Sequence, residues 1–211
     1  MTTEAIAVRW GDGRRADSDF AREQILDAAW RCYKKKSIYK TSMEHIAREA
    51  KISRTTVYRY FQNRDEVMAG VMVRALNELS QDISAQLTNI PSFAEFLVES
   101  LTRVTEATMS SPVFSLLLQE EMSMRSRIFV GSADIIGLVA NFFRPRFEQA
   151  QQTGELVDGV EFEQFIDWII HMLAAYALAP SSPLRGSDGW RHMLWRFLVP
   201  AIAKESSYAR R

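Results

Sequence analysis

The chain is poor in cysteine, glycine and proline. Its single cysteine, Cys32, excludes an intramolecular disulfide framework and gives no argument for an exported fold. Nine glycines and six prolines in 211 residues are few for a chain of short strands and tight turns, and long periodic stretches without breakers favour helices. Long apolar runs are missing too: the most apolar stretch, residues 168–179, contains His171 and falls short of the ~18–20 residues a membrane helix needs. Residues 1–15 lack the apolar core of a signal peptide, so the chain reads as cytoplasmic, with no membrane partner. No His or Cys ligand spacing, no Gly-rich phosphate loop and no cluster of nucleophile, base and orienter occurs. The expectation is therefore no metal, no cofactor and no enzyme.

What remains is an ordinary globular composition, 47% hydrophobic and 25% charged, long enough to bury a core. The net charge of zero hides an asymmetry. Residues 20–74 carry 12 Lys/Arg against 6 Asp/Glu, whereas residues 75–211 carry 11 against 16. A basic front and an acidic rear suit a chain whose first part meets a polyanion.

Along the chain, residues 1–19 read as a flexible arm, with Arg14 and Arg15 as potential DNA contacts. A first helix is predicted over 21–36 from the stripe Ile25, Ala28, Ala29, Cys32 and Tyr33. Thr41 or Ser42 caps a second helix, Lys51-Ile52-Ser53 forms a turn, Ser53 caps a third helix, and Asn63 caps a fourth. Further helices are predicted near 93–108, 112–124, 132–152, 160–179 and 187–203. The architecture is all-α with about nine helices: an arm (1–19), a three-helix helix-turn-helix domain (20–66) and a helical effector-binding and dimerisation domain (67–211).

Residues 42–61 have the anatomy of a helix-turn-helix. Ala47 is small enough for a close crossing, and Ile46, Ile52, Val57 and Phe61 can pin the pair to the first helix. That anchoring leaves Arg54, Thr55, Thr56, Arg59 and Tyr60 on a spare face. Arg pairs bidentately with guanine, Thr touches a thymine methyl, and hydroxyls hold phosphate oxygens. The strings Ile25-Leu26-Asp27-Ala28-Ala29, Thr41-Ser42-Met43-Glu44-His45-Ile46-Ala47, Ala50-Lys51-Ile52-Ser53-Arg54-Thr55-Thr56-Val57-Tyr58-Arg59-Tyr60-Phe61 and Asn63-Arg64-Asp65-Glu66-Val67 resemble the tetracycline-repressor (TetR) family of regulators. The resemblance covers about residues 20–70. It implies that Tyr58, Thr41 and Ser42 hold phosphates and that Arg54, Thr55, Thr56, Arg59 and Tyr60 lie on the recognition helix. It also implies that Arg64 contacts the backbone. The family often has Gly where Lys51 stands and near Ser37, and Lys51 adds a charge toward a phosphate.

The rear of the chain matches no motif of that family. The resemblance implies that the last two long helices, about 160–179 and 187–203, form a homodimer interface, and the first of these is apolar nearly all round. A small, mainly apolar effector is expected among aromatic and Met-rich faces: Phe96, Leu97, Leu101, Phe114, Leu117, Met122, Phe142, Phe143, Trp168 and Met172. Arg103, Asn141 and His171 are the candidate polar anchors. Asp167 and His171, spaced i and i+4, read as a hydrogen-bonded pair near an interface. The function expected is a ligand-responsive regulator, a repressor released from a palindromic operator. The alternatives are a helical small-molecule-binding protein without DNA binding, or an enzyme.

Overall fold

The computed structural model describes residues 13–117, 132–178 and 187–208. In chain order it holds α1 (Gly13–Lys36), α2 (Met43–Ala50), α3 (Arg54–Tyr60), α4 (Arg64–Gln86), α5 (Phe93–Ser110) and α6 (Pro112–Leu117). These are followed by α7 (Ala133–Thr153), α8 (Phe162–Leu178), α9 (Ser187–Met193), a π-helical turn Leu194–Leu198, and α10 (Val199–Ile202). The sole β feature among the described residues is a bridge between Leu156 and Ala203. The chain divides into two compact units, and the division falls between Val71 and Met72, inside α4.

In the first unit α1 starts at Gly13, eight residues before the apolar stripe predicts. The stripe of Ile25, Ala28, Ala29, Cys32 and Tyr33 is buried as read, and Leu26 is buried with it, but residues 13–20 have no such stripe, so periodicity cannot see them. The expected arm is therefore helical from residue 13. Its first twelve residues, and the side chains of Arg14 and Arg15, lie outside the described set. α2 buries Met43, Ile46 and Ala47, and α3 buries Val57, with Phe61 just beyond it. α4 approaches this core at Gly70, where a Cβ would lie 2.9 Å from Leu26 Cδ2 and 3.2 Å from the Phe61 ring.

In the second unit a pile of phenylalanines forms the centre. Phe93 meets Phe147 edge-on at 5.9 Å, Phe143 meets Phe165 at 5.5 Å, and Phe147 meets Phe162 at 5.1 Å. Edge-to-face geometry of this kind matches the ring quadrupoles. Ser92 caps α5, and the Glu155 carboxylate accepts the first amide of that helix, from Phe93, at 2.7 Å. Arg146 donates to the Ile90 and Ser92 carbonyls. The segment after α7 is tied to the end of α10 by Val157 N–H to Ile202 O and Lys204 N–H to Glu155 O, at 2.9 and 2.8 Å.

The predicted helix over 187–203 is not uniform. Pro200 cannot donate to the carbonyl four residues back and crowds it, and the widened π turn stands just before it. This last segment is also largely consumed by its own subunit, because Trp190, Leu194, Leu198, Val199 and Ile202 are all in the core. Of the predicted helix over 112–124, only 112–117 is described, and the predicted break over 180–186 lies outside the described residues.

Candidate nucleic-acid interface and effector cavity

The helix-turn-helix is built by caps. The Ser42 hydroxyl accepts from His45 N–H at 3.2 Å, and His45 Nδ1 accepts from Ser42 N–H at 3.2 Å, closing a reciprocal capping box. His45, read from sequence as a surface residue, has this structural task. The C-cap Lys51 is left-handed (φ 58°). Its N–H reaches Arg48 O while Ile52 N–H reaches Ala47 O, the double bond of a Schellman turn. Ser53 then caps α3 by accepting from Thr56 N–H at 3.0 Å. Asn63 Oδ1 accepts from Glu66 N–H at 2.9 Å, and Glu66 accepts from Gln62 N–H at 2.7 Å, which starts α4.

Val57 is the residue of α3 that is buried. Arg54, Thr55, Tyr58 and Arg59 are exposed, and Thr56 and Tyr60 are half-buried. The Arg54 guanidinium lies over the Tyr58 ring at 5.3 Å and donates to its hydroxyl at 3.3 Å. Arg59 stands over Tyr60 at 5.1 Å. The two arginines are thus stacked along the exposed face on aromatic rings, a low-entropy arrangement for planar recognition. Lys51 is exposed on the turn that leads into this helix.

One expected phosphate contact falls away. Thr41 is 1% exposed, and its hydroxyl donates to Ser37 O at 2.7 Å, closing the turn in which Ser37 is left-handed (φ 70°). Its neighbour Ser42 is the exposed hydroxyl. A different residue joins the face: Tyr39, 65% exposed. Arg64 donates to Tyr39 O at 2.8 Å and lies over its ring at 5.8 Å. Part of the basic front is neutralised internally, since Arg31 and Lys35 both bind the Glu49 carboxylate, at 2.9 and 3.3 Å. Their hydrogen bonds, Arg31 first, hold that carboxyl below the usual range. Cys32 is a buried thiol whose pKa is raised chiefly by desolvation, in keeping with a core residue.

In the second unit a small apolar cavity of about 80 Å³ opens between helices. Its walls are Leu76 of α4, Val104, Thr105, Thr108 and Met109 of α5, and Phe114 of α6. Ile135 and Val139 of α7 and Ile170, Leu173, Ala174 and Tyr176 of α8 complete it. Among the sequence-predicted lining residues, Phe114 is in this wall. Phe96, Leu97, Leu101 and Phe143 are instead solid core, and Phe142 and Met172 pack on it. Trp168 is 61% exposed and Asn141 is exposed. Arg103 is engaged with Glu99 and Gln86. Met122 and the Leu117 side chain lie outside the described residues. His171 borders a separate groove between α7 and α8, with Ile136, Phe162 and Ile166. Its Nδ1 lies 2.8 Å from Asp167 O and 3.5 Å from Asp167 Oδ1, the local pair the spacing suggested. No described helix is long and apolar enough to cross a membrane.

Comparison with known proteins agrees with this geometry. The family model of bacterial regulatory proteins of the tetR family matches residues 25–71. An uncharacterized HTH-type transcriptional regulator of Mycobacterium tuberculosis is 25% identical over 202 residues, covering 96% of this chain and 94% of its own. Among solved structures, the R. erythropolis transcriptional repressor QsdR, from the TetR family, aligns with a TM-score of 0.67 at 17% identity, over 87% of this chain and 95% of that one. FadR of Thermus thermophilus, a TetR-family transcriptional repressor in complex with lauroyl-CoA, aligns with a TM-score of 0.64 at 20% identity. That match covers 85% of this chain and 94% of its own.

Proposed function

We propose that the chain, whose residues 25–71 match the model of the tetR family of bacterial regulatory proteins, is a cytoplasmic, non-enzymatic repressor of that family. It binds a palindromic operator as a homodimer and is released by a small, mainly apolar effector. The observation that carries the DNA-binding part is the outer face of α3, where Arg54, Thr55, Tyr58 and Arg59 are exposed around one buried anchor, Val57. Arg54, Thr55, Thr56, Arg59 and Tyr60 face base edges; Ser42, Lys51, Tyr58 and Arg64 hold phosphates, with Tyr39 beside them. A two-fold pair of such helices engages half-sites about one helical turn apart. The test is selection from a library of palindromic duplexes, followed by anisotropy titration of the selected site. Recovery of no preferred site, or equal binding by the Arg54→Ala/Arg59→Ala double variant, sinks the assignment.

The homodimer face proposed here is α8 with the last helical segment: part of that segment packs into its own core, but Phe197 is 68% exposed and Trp168 of α8 is 61% exposed. Large exposed apolar side chains such as these mark interaction sites. A second copy is the occupant that a two-fold operator demands. Sedimentation of Trp168→Glu tests it: a dimer as tight as the unaltered protein's removes this face.

The effector part rests on the apolar cavity. Small-molecule pockets typically span ~300–1,000 Å³, so an occupant must part the surrounding helices. α4 supplies Leu76 to the wall and is continuous with the residues that begin at Arg64. Its displacement is the proposed link to the DNA-binding head. The effector can release DNA only by as much as it prefers the non-binding arrangement. The Thermus thermophilus relative, solved with lauroyl-CoA, favours a ligand with a substantial apolar part.

A further inference from the structure

The cavity walls are apolar, and their α5 hydroxyls are already engaged. Thr105 donates toward Leu101 O and Thr102 O at 2.9 and 2.8 Å, and Thr108 donates to Val104 O. Tyr176 forms part of the α8 wall. Behind it stands Trp190 of α9, with ring centroids 4.2 Å apart. Trp190 is 5% exposed, and its Nε1–H has no hydrogen-bond partner among the described residues. A buried donor without an acceptor is penalised by the full loss of its hydration, and such groups are few in native cores. This one lies a single ring behind the wall of a cavity too small for its proposed occupant.

Resting on the reading of this cavity as the effector site, we propose that the effector carries a neutral hydrogen-bond acceptor, a ketone, ester or amide oxygen, which takes the Trp190 N–H when Tyr176 swings off the indole. The movement of Tyr176 joins new space to the cavity and brings the indole edge into it. The acceptor is neutral because the lining contains no charged residue among the described ones. Among the described residues, the guanidinium groups of Arg191, next to Trp190 in sequence, and of Arg103 are both paired with Glu99. A carboxylate there would lose its water without gaining a cation. The specificity of the site then lies in one donor on α9, with the other contacts measuring apolar shape.

The test uses the full chain and two molecules of similar shape, acetophenone and ethylbenzene, which differ by a carbonyl in place of a methylene. Affinities are measured for the unaltered protein and for Trp190→Phe. The ratio within one protein also contains the ketone's own desolvation, which cancels between the two proteins. The acetophenone-to-ethylbenzene affinity ratio is expected to fall about tenfold in Trp190→Phe, the size of one buried hydrogen bond. A second readout needs no variant: the Trp190 indole N–H resonance, assigned through its Overhauser contacts to the Tyr176 ring, should move downfield with acetophenone and not with ethylbenzene. If both molecules bind and that resonance answers neither, or the ratio is the same in both proteins, the acceptor proposal is overturned while the cavity stands. If neither binds at millimolar concentration, or if both still bind equally to Ala174→Trp, in which the cavity is filled, the effector-site reading falls and takes the proposal with it.

Discussion

Lys51 offers a perturbation in which stability and DNA binding should move in opposite directions. Its backbone is left-handed at φ 58° and ψ 36°, where an L side chain is penalised by roughly 1–2 kcal/mol. Glycine relieves that strain but loses roughly 0.5–1 kcal/mol more backbone entropy on folding. The difference predicts that Lys51→Gly stabilises the folded chain by about 0.5–1 kcal/mol. The Schellman bonds, from Lys51 and Ile52 N–H, use only backbone and survive the change. Ser37→Gly, at φ 70°, should stabilise to a similar extent. Urea unfolding reads this as a higher midpoint at constant slope. On DNA the two variants should part. If each Lys51 neutralises one phosphate, a dimer of Lys51→Gly releases two fewer counterions, and the slope of log K against log salt becomes shallower by about 1.8. Ser37→Gly should leave that slope alone. Lys51→Asn, which tolerates the left-handed conformation without the charge, should reproduce the slope change and part of the stabilisation. Neutral or lower stability in both glycine variants would refute the strain argument, and an unchanged salt slope would refute the phosphate contact.

Three further perturbations follow from particular contacts. Arg59→Ala should relax preference at one symmetric operator position by about 1–3 kcal/mol, whereas Tyr58→Phe should weaken all sequences alike; competition against single-base operator variants separates the two patterns. Thr41→Val removes the hydroxyl that closes the Ser37 turn, so stability should drop by about 1 kcal/mol with the operator salt slope unchanged, and a shallower slope would return Thr41 to the DNA surface. Arg191, with Arg103, holds the Glu99 carboxyl below the usual range. That stabilisation is present above the ordinary glutamate value of about 4.3 and disappears as pH falls through the lower folded value. Glu99→Gln should therefore lose roughly 1 kcal/mol near neutrality and flatten the acid limb of stability against pH; an acid limb identical to the unaltered protein's contradicts it.

The fold was most legible where local chemistry and packing agree. Ser42, Ser53 and Asn63 are cap residues by type, and each accepts the amide its position predicts. Ile46, Val57 and Phe61 are buried at the spacing that anchors α2 and α3. Where helix is carried by propagation from a packed segment, as over 13–20, there is no periodic signal to read. The all-round apolarity of residues 162–178 did signal two covered sides, but it could not name the second cover. Ile169 and Phe165 face the core while Trp168 is exposed. In the last segment a core helix and an interface helix carry the same kind of apolar residue: Trp190, Leu194 and Leu198 are buried within the subunit, whereas Phe197 is exposed.

The site was legible for a residue in proportion to how little it depends on distant sequence. The face of α3 follows from one helix and one buried anchor, so Arg54, Thr55, Tyr58 and Arg59 emerge exposed as read. Thr41 and Ser42 are chemically alike and adjacent, and which hydroxyl faces outward is decided by the left-handed Ser37 four residues earlier. Tyr39 joins the face through Arg64, twenty-five residues away, a separation that no spacing rule spans. Of the residues expected to line a pocket, Phe114 stands in the cavity wall and several others fill the core. Aromatic-rich faces were expected to open into a pocket, yet rings that meet edge-on fill volume, as Phe143 and Phe165 do. The cavity wall includes short side chains, Val104, Thr105 and Thr108 on α5 and Ala174 on α8. Small residues recurring at helical spacing on the otherwise bulky α5 are the signal that marks such a void, and they imply that enlarging Ala174 closes it at little disturbance to the phenylalanine core.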